Sequence, residues 1–510
     1  MPEPLATRCD ISLESWIDMR GMLKKYFLLF FLLEWTLVLQ GQILRKGDLI
    51  SGGKPGSGPT SNGINDIKIL ENNVWVAAGR GLSRTMDNGE TWTNYTRPDG
   101  IGRGGISALA IRNDVIWVAT VFDTLTELGE SLAGGGLSVS SDNGESWHWL
   151  PQPMDSSDIT EYLPVHTVVN NTTWDIALTD SAIWIASWAG GLRRSIDMGE
   201  TWTVVTVDGL PFNVSNNNFI HMGFSIIFDG KSLWAGSAGG VHKSTDGGTT
   251  WTNFGHQNQS QPISGNFVVA IGHQHVDEKS IIWAATIEAV EEAEYRAVSK
   301  TEDGGLTWTI CLEGEFAHNF AFDDSVVYVA TDNGLFKSLD YGETWASFPQ
   351  IVDHNTGEGL YTTEINSAGV GPNHGLWIGS SDGLARTPDN GMTWRIFRAF
   401  QKPGIAGTPQ TYAYPNPFSP LRHNVIGGDG HVRFQYKTVR SASVTVRVYD
   451  FGMNLVRTVT GGRMRPIPGD YAEVWDGKND VGQMVANGVY FYMVSLTGDK
   501  PLWGKVMVVN

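Results

Sequence analysis

The residues of this 510-residue chain best suited to chemistry are the aspartates of a motif that recurs seven times. Carboxylates beside glycines occur in calcium loops, but an EF-hand loop needs further carboxylates and a terminal Glu that these segments lack. We therefore predict no metal site and no cofactor, and interpret the aspartates as structural acceptors for turn amides. The motif reads Ser/Thr-x-Asp-x-Gly-x-Ser/Thr-Trp, and its aspartates are Asp87, Asp142, Asp197, Asp246, Asp303, Asp340 and Asp389.

A second set of residues could bind a ligand. Each motif follows an apolar strand with a central aromatic residue, and the positions just after these strands are expected to ring a channel. Trp188 belongs to neither repeated set of aromatics, so it could be a stacking platform or could pack under a loop. The acidic insertion at 287–297 is expected to be a solvated loop. The candidate ligand-binding residues are Arg80, Phe122, Asp123, Trp188, Glu288, Asp332, Asn333 and Asp382.

Other catalytic patterns are weak. His273 and His275 alternate along one stretch, which is more typical of surface histidines than of a metal pair. The sequence has no zinc-type His/Cys spacing, no nucleophile elbow and no phosphate-binding glycine loop. A net charge of −18 argues against a nucleic-acid binder, which needs a basic surface. Of the two cysteines, Cys9 and Cys311, we interpret the second as a small buried hydrophobe.

The elements that must position these residues repeat with the motif. Each unit contains four short strands, and an aromatic strand such as Val74-Trp75-Val76 precedes each hairpin. Seven such units predict an all-β fold, a seven-bladed β-propeller over residues 42–400. The motif hairpins should lie on one face. Long connections and insertions, such as 121–133, should lie on the opposite face, where ligand sites are expected.

The two ends of the chain differ from the repeats. A basic stretch at 22–25 and an apolar run to residue 39 predict a signal peptide at 22–41, preceded by an upstream extension at 1–21. A Gly/Pro-rich linker at 401–411 leads to six or seven alternating strands at 412–510. These strands predict a small immunoglobulin-like β-sandwich. We therefore expect an exported protein without a membrane span in the mature chain.

Two resemblances follow from these motifs. Over residues ~60 to 400 the chain resembles the BNR/Asp-box propellers, which include sialidases, two-propeller xyloglucanases, sortilin-like receptors and photosystem II assembly factors of the Ycf48 type. The final 100 residues resemble FlgD-type Ig-like domains and the C-terminal sorting domains of type IX secretion cargo. That resemblance implies a bacterial secreted or outer-surface protein whose C-terminal domain contacts secretion machinery. The landmarks are Tyr414-Pro-Asn-Pro-Phe418, Tyr449-Asp450, Trp475-Asp-Gly and Asn487-Gly-Val-Tyr-Phe-Tyr492.

The sialidase resemblance implies three arginines, a Tyr/Glu pair and an Asp acid, and this sequence does not supply them. Tyr361 with Glu364 is the nearest pair but lacks the arginines. We therefore predict a non-enzymatic interaction module for a glycan, peptide or protein, without nucleic acid. The alternative is an extracellular glycoside hydrolase of sialidase-like or xyloglucanase-like type. It would use Asp123, Asp332 or Asp382, and would need two carboxylates about 5–9.5 Å apart.

Overall fold

The computed structural model describes residues 58–127, 129–159, 164–207, 210–211, 222–289, 293–400, 402–404 and 407–509. The predicted upstream extension and signal peptide lie outside these residues. In the described ranges the regular structure is almost wholly β-strand, with short 3₁₀ turns at Arg97–Asp99 and Pro372–His374.

Residues 64–397 form seven four-stranded antiparallel sheets, and consecutive strands are hydrogen-bonded neighbours in every sheet. A two-stranded ribbon lies between the third and fourth sheets. Blades one to three contain β1 Ile64–Leu70, β2 Asn73–Ala78, β3 Gly81–Thr85, β4 Thr93–Tyr95; β5 Gly105–Arg112, β6 Val115–Thr126, β7 Gly129–Ser140, β8 His148–Leu150; β9 Thr173–Leu178, β10 Ile183–Ser187, β11 Gly191–Ser195 and β12 Thr203–Val204. The ribbon is β13 Thr206–Val207 and β14 Leu210–Pro211. Blades four to seven contain β15 Gly223–Phe228, β16 Leu233–Ser237, β17 Gly240–Ser244, β18 Thr252–Phe254; β19 Phe267–Val276, β20 Lys279–Ile287, β21 Ala297–Thr301, β22 Thr309–Cys311; β23 Ala317–Asp323, β24 Val326–Thr331, β25 Gly334–Ser338, β26 Ala346–Ser347; β27 Ile365–Val370, β28 Leu376–Ser380, β29 Gly383–Thr387 and β30 Arg395–Phe397.

The first strands of the seven sheets surround a central channel. Each first strand contacts the first strand of the next sheet, and β27 contacts β1, so the ring is closed. Polar side chains on these strands bond to the neighbouring first strand and so satisfy backbone groups that no ladder partner reaches. We call these bonds between neighbouring first strands latches. Among the described residues they join six of the seven pairs of neighbouring first strands: Asn65 to Ile106 O, Ser107 to Thr173 O, Asp175 to Ile226 N, Ser225 to Ile271 N, Asn319 to Ala368 N and Asn366 to Ile64 O.

Large aromatic residues fill the space between blades. Each second strand buries one central aromatic ring, and the motif Trp of the next blade packs edge-on against it in several blades, as Trp251 does on Trp184 at 6.3 Å. In six blades a third-strand cation lies over the same ring, as Lys243 does over Trp234 at 4.6 Å. The blades are therefore held by stacked apolar and cation–π contacts. The seven second-strand rings are Trp75, Trp117, Trp184, Trp234, Trp283, Tyr328 and Trp377.

The repeated motif forms the hairpin between the third and fourth strands. In blade four the backbone N and Oγ1 of Thr250 donate to the two carboxylate oxygens of Asp246, at 2.9 and 2.7 Å. These bonds lower the pKa of the Asp246 carboxyl to about 2. Gly248 has φ +86°, and a Cβ there would lie 2.2 Å from the Trp184 ring, so glycine is required. The same carboxylate bonds recur at Asp87, Asp142, Asp197, Asp303, Asp340 and Asp389.

The C-terminal domain is a two-sheet sandwich around buried residues that include Phe434, Trp475 and Tyr492. Its seven strands are β31 Thr411–Tyr414, β32 Val432–Thr438, β33 Ala442–Tyr449, β34 Leu455–Arg465, β35 Gly469–Trp475, β36 Gly488–Leu496 and β37 Leu502–Val508. One sheet has the order β31-β32-β35 and the other has the order β34-β33-β36-β37. The predicted class, an all-β propeller followed by an immunoglobulin-like sandwich, is therefore confirmed.

The Tyr-Pro-Asn-Pro-Phe segment covers the free edge of β37. Asn416 Oδ1 accepts from Met507 N at 3.0 Å, and Phe418 N donates to Met507 O at 2.8 Å. Because an open edge strand can pair with other chains, this cover protects the sandwich from edge-to-edge association.

Candidate functional site

The central channel contains a cavity of about 680 Å³. This volume lies within the usual range of small-molecule sites, about 300–1,000 Å³. Its wall is formed mostly by the first strands. At one end it is lined by Phe122 and Asp123, on the face of the turns between second and third strands, which we call the loop face; at the other end it is lined by Arg112 and Phe228. The motif hairpins lie on the opposite face, which we call the hairpin face.

Aromatic rings line one side of the channel opening. Phe224 and Phe267 line the cavity with ring centres 4.4 Å apart, and half-buried Trp188 packs on both at 5.2 and 6.5 Å. Phe316 continues this aromatic wall from the next blade. Trp188 thus belongs to a ring cluster at the opening, and its use as a stacking platform stays a prediction.

Charged residues from blades five and six extend the same rim. Glu288 binds Arg296 at 3.1 Å, and the Arg296 guanidinium lies 6.0 Å from the centre of the Phe316 ring. His318 packs on Phe316 at 4.7 Å and binds Asp332 Oδ1 at 2.7 Å. Glu288 is therefore linked to the aromatic wall through Arg296, and Asp332 is linked to it through His318.

Blade two supplies the opposite side of the opening. Its second and third strands are each twelve residues long, and their ends extend past the blade as a two-stranded ribbon. Phe122 and Asp123 on this ribbon line the cavity. Arg103 lies over the Phe122 ring at 4.1 Å. Burial and the nearby carboxylate of Glu130 raise the pKa of Asp123 above its usual range.

Deeper in the channel, Lys68 lies between two carboxylates. Its Nζ is 3.2 Å from Asp66 Oδ2, and 40% of its side chain remains exposed to the lumen. Burial disfavours the ammonium, but Asp66 and Asp175 outweigh it and raise the pKa of Lys68. Burial also raises the pKa of Asp175, which Lys68 and the bonds from Ile226 N and Ser225 Oγ offset only in part.

Two predicted positions lie away from the cavity. Arg80 is half-buried in the turn between β2 and β3, and the cavity wall there is Gly79. Asn333 donates to Glu315 Oε2 at 2.9 Å and does not line the channel.

Asp382 has a different role from the one expected. Its side chain is 1% exposed, and both carboxylate oxygens accept from Arg433 of the C-terminal domain. Arg398 donates to Asp382 Oδ2 at 3.0 Å and to Glu358 Oε2 at 3.3 Å, while Ala472 N donates to Glu358 Oε1 at 3.0 Å. We call Glu358, Asp382, Arg398 and Arg433 the interdomain clamp. Asp382 is therefore part of a domain interface and is closed to a ligand.

The clamp is balanced in charge. Burial disfavours the Asp382 carboxylate, but Arg398 and Arg433 outweigh that effect and lower its pKa. Burial likewise opposes the Arg433 cation, and Asp382 raises its pKa in return. Two carboxylates and two guanidiniums thus compensate one another in a site shielded from water.

The acidic insertion is not wholly a solvated loop, contrary to expectation. Glu294 is 7% exposed and accepts from Ala289 N, from Gln257 at 2.9 Å and from Asn266 Nδ2 at 2.6 Å. It anchors the insertion against the connection between blades four and five. Glu291 and Glu292 lie outside the described residues.

The motif aspartates form no shared pocket. Each of the seven bonds described above stays within its own hairpin. Among the described residues no group of three His, Cys, Asp or Glu side chains is arranged to hold a metal ion. His273 and His275 share one strand with rings 5.9 Å apart. Within the described part of the chain, no helix is long and apolar enough to cross a membrane.

Fold and site together define a β-propeller with a central channel and a docked immunoglobulin-like domain. Residues 423–500 match the family of the FlgD Ig-like domain. Comparison with curated proteins gives no match.

Three solved structures are similar to this chain. An ancestral GH74 enzyme is similar with 16% identity and a TM-score of 0.50, over 89% of this chain and 64% of that one. PorZ, a surface component of the type IX secretion system of Porphyromonas gingivalis, is similar with 14% identity and a TM-score of 0.40, over 87% of this chain and 65% of that one. YCF48 from Cyanidioschyzon merolae is similar with 17% identity and a TM-score of 0.42, over 68% of this chain and 98% of that one. The chain spans less than two thirds of the length of the first two.

Sequence reasoning missed the residues that form most of the channel wall. Phe224, Phe267 and Phe316 lie at or just before the starts of first strands, whereas the predicted candidates follow second strands. These rings precede the aromatic residue of the next second strand by 10, 16 and 12 residues, so no common spacing marks them in the sequence. The Asp66, Lys68 and Asp175 group carries no local motif, because its members meet only when the ring closes.

Proposed function

We propose that this protein is an exported, non-enzymatic bacterial interaction module that binds the end of a glycan, peptide or protein segment at the channel opening. The observation that carries the proposal is the aromatic wall of Trp188, Phe224, Phe267 and Phe316 beside a cavity that is open on the loop face. Flat aromatic faces over a few directed polar groups are typical of ligand sites.

The geometry of the opening favours end-on binding. The ring of first strands closes the channel sideways, so a ligand enters along the axis. The apolar wall would hold a ring or side chain, and the Asp66, Lys68 and Asp175 group further in offers both donors and acceptors. Export rests on the predicted signal peptide and surface attachment on the FlgD-type domain.

The proposal is tested by titrating purified protein with a panel of bacterial-surface oligosaccharides and short peptides, followed by calorimetry. Phe316→Ala should weaken the best ligand at least about tenfold, as truncation of an aromatic anchor usually does. Phe451→Ala is the matched control, because this ring is 82% exposed in the other domain. Equal affinities for the two variants would refute binding at the channel opening.

A second function, glycoside hydrolysis, is favoured by one observation. Asp123 and Asp175 line the same cavity, and the pKa of each is raised. A raised pKa is what a general acid needs. A hydrolysis screen with Asp123→Asn would decide the matter: turnover that this substitution abolishes would replace the binding proposal.

A further inference from the structure

The C-terminal domain has two outward sheet faces, and the propeller covers one of them. Arg433 and Gln435 point outward from β32, yet they are 1% and 2% exposed. Arg433 is bound to Asp382 of the propeller, and the neighbouring Ala472 amide is bound to Glu358. The three-stranded sheet is therefore occupied by the rest of the chain.

The outward face of the four-stranded sheet is uncovered and apolar. Trp503 and Met507 on β37 are 49% and 47% exposed, and Trp503 packs on Tyr449 at 5.6 Å. The register places Lys505 between them beside Phe491. Arg447 lies on the same face, opposite Met493. We call these residues the aromatic–basic face. Exposed apolar patches of this kind mark interaction sites.

The charge of the domain is opposite to that of the propeller. Residues 411–510 contain 11 basic and 7 acidic side chains, whereas residues 58–400 contain 17 basic and 41 acidic ones. A surface that fits the aromatic–basic face must be acidic and must also offer apolar side chains.

The hairpin face of the propeller has both properties. Its carboxylates include the motif aspartates and neighbouring glutamates such as Glu200 and Glu343. Hydrogen bonds within the hairpins keep the aspartates ionised. Large apolar side chains stand exposed in the same hairpins: Met86, Ile196, Met198, Leu306, Leu339 and Met392.

We propose that the aromatic–basic face of one copy docks on the hairpin face of a second copy. The two surfaces are complementary in charge and in apolar content, and they lie on different parts of the molecule. Such a contact is heterologous, so it propagates into an open row or a ring of copies. The proposal is independent of any ligand at the channel opening, and its failure would leave that ligand proposal intact.

The test is analytical ultracentrifugation of the full chain over a concentration series. At about 0.05 M salt the average mass should rise with concentration, and at about 0.5 M salt it should return to that of a single copy. Lys505→Glu combined with Arg447→Glu should weaken association at least about tenfold. Glu200→Lys with Glu343→Lys on the hairpin face should weaken it as well.

Lys437→Glu is the control for a single charge reversal and is compared with Lys505→Glu alone, because Lys437 is exposed on the other sheet. It should leave association unchanged. A single copy at every concentration up to about 100 µM would overturn the proposal. Binding of monomeric protein to phosphatidylglycerol vesicles, lost in the Lys505→Glu and Arg447→Glu variant, would also overturn it, because the face would then be assigned to a membrane.

Discussion

Replacing Arg433 by Met should release the C-terminal domain from the propeller. The substitution leaves the Asp382 carboxylate buried with Arg398 and the Tyr361 amide as its remaining partners, at 3.0 and 2.8 Å. Removing one partner of a buried ion pair costs about 3–5 kcal/mol, because the other charge stays desolvated. Since Arg398 remains, we expect the lower end of that range, about 3 kcal/mol.

The assay is hydrogen exchange at the Ala472 amide, which donates to Glu358 only while the domains are docked. A loss of about 3 kcal/mol corresponds to roughly 100-fold more frequent opening, and thus to faster exchange by the same factor. The matched control is Arg395→Met, which breaks an ion pair with Glu90 whose side chains are 42% and 65% exposed. That change should leave exchange at the Ala472 amide nearly unchanged, because exposed ion pairs contribute little. Equal effects of the two substitutions would refute the idea that burial makes the clamp strong.

Three further predictions concern the propeller. Gly248→Ala should lower the free energy of unfolding by about 2–4 kcal/mol, because of strain at positive φ and the clash with the Trp184 ring. The control is Gly247→Ala, which has φ +69° and open space around it and should cost only about 1 kcal/mol. Equal urea midpoints for the two variants would contradict the packing argument. The pKa of Asp246 is about 2 in the folded chain against 3.8 in the unfolded chain, so its stabilising effect is present above about pH 4 and is lost as the pH falls toward 2. Asp246→Asn should flatten this part of the pH–stability profile. An unchanged profile would argue against a stabilising role of the Asp246 carboxylate. Burial raises the pKa of the Cys311 thiol to about 12, so iodoacetamide at pH 8 should modify it only after unfolding, and rapid labelling of the native protein would show that the thiol is accessible.

The repeated motif made the propeller predictable, because its residues lie within one short hairpin and recur at fixed spacing. The aspartate, the glycine at positive φ and the tryptophan are all close in sequence, so spacing alone carries their roles. The second-strand aromatics were predictable for the same reason. Their cation partners, such as Lys243 over Trp234, are not among the sequence predictions, although a basic residue recurs three positions before the motif aspartate in six blades.

The candidate site was less predictable, because its residues come from different blades or different domains. Five of the predicted residues do lie on the loop face, as expected for positions near the ends of second strands. They are Phe122, Asp123, Trp188, Glu288 and Asp332. The latches between first strands and the group around Lys68 depend on ring closure, which local spacing does not encode. Asp382 occupies a position equivalent to theirs, but an arginine 51 residues later in the chain determines its role.

The clamp also bears on how the C-terminal domain can work. Its charges are compensated only while Arg433 and Asp382 remain together, and separation would require both to regain water at the expense of their mutual attraction. We therefore expect that cleavage within the predicted linker, 401–411, would leave the domain docked, because no clamp residue lies in that segment. A domain held in this way presents a fixed sheet face to its surroundings. Its orientation relative to the channel opening is then set by the fold of the chain and does not depend on the partner that it meets.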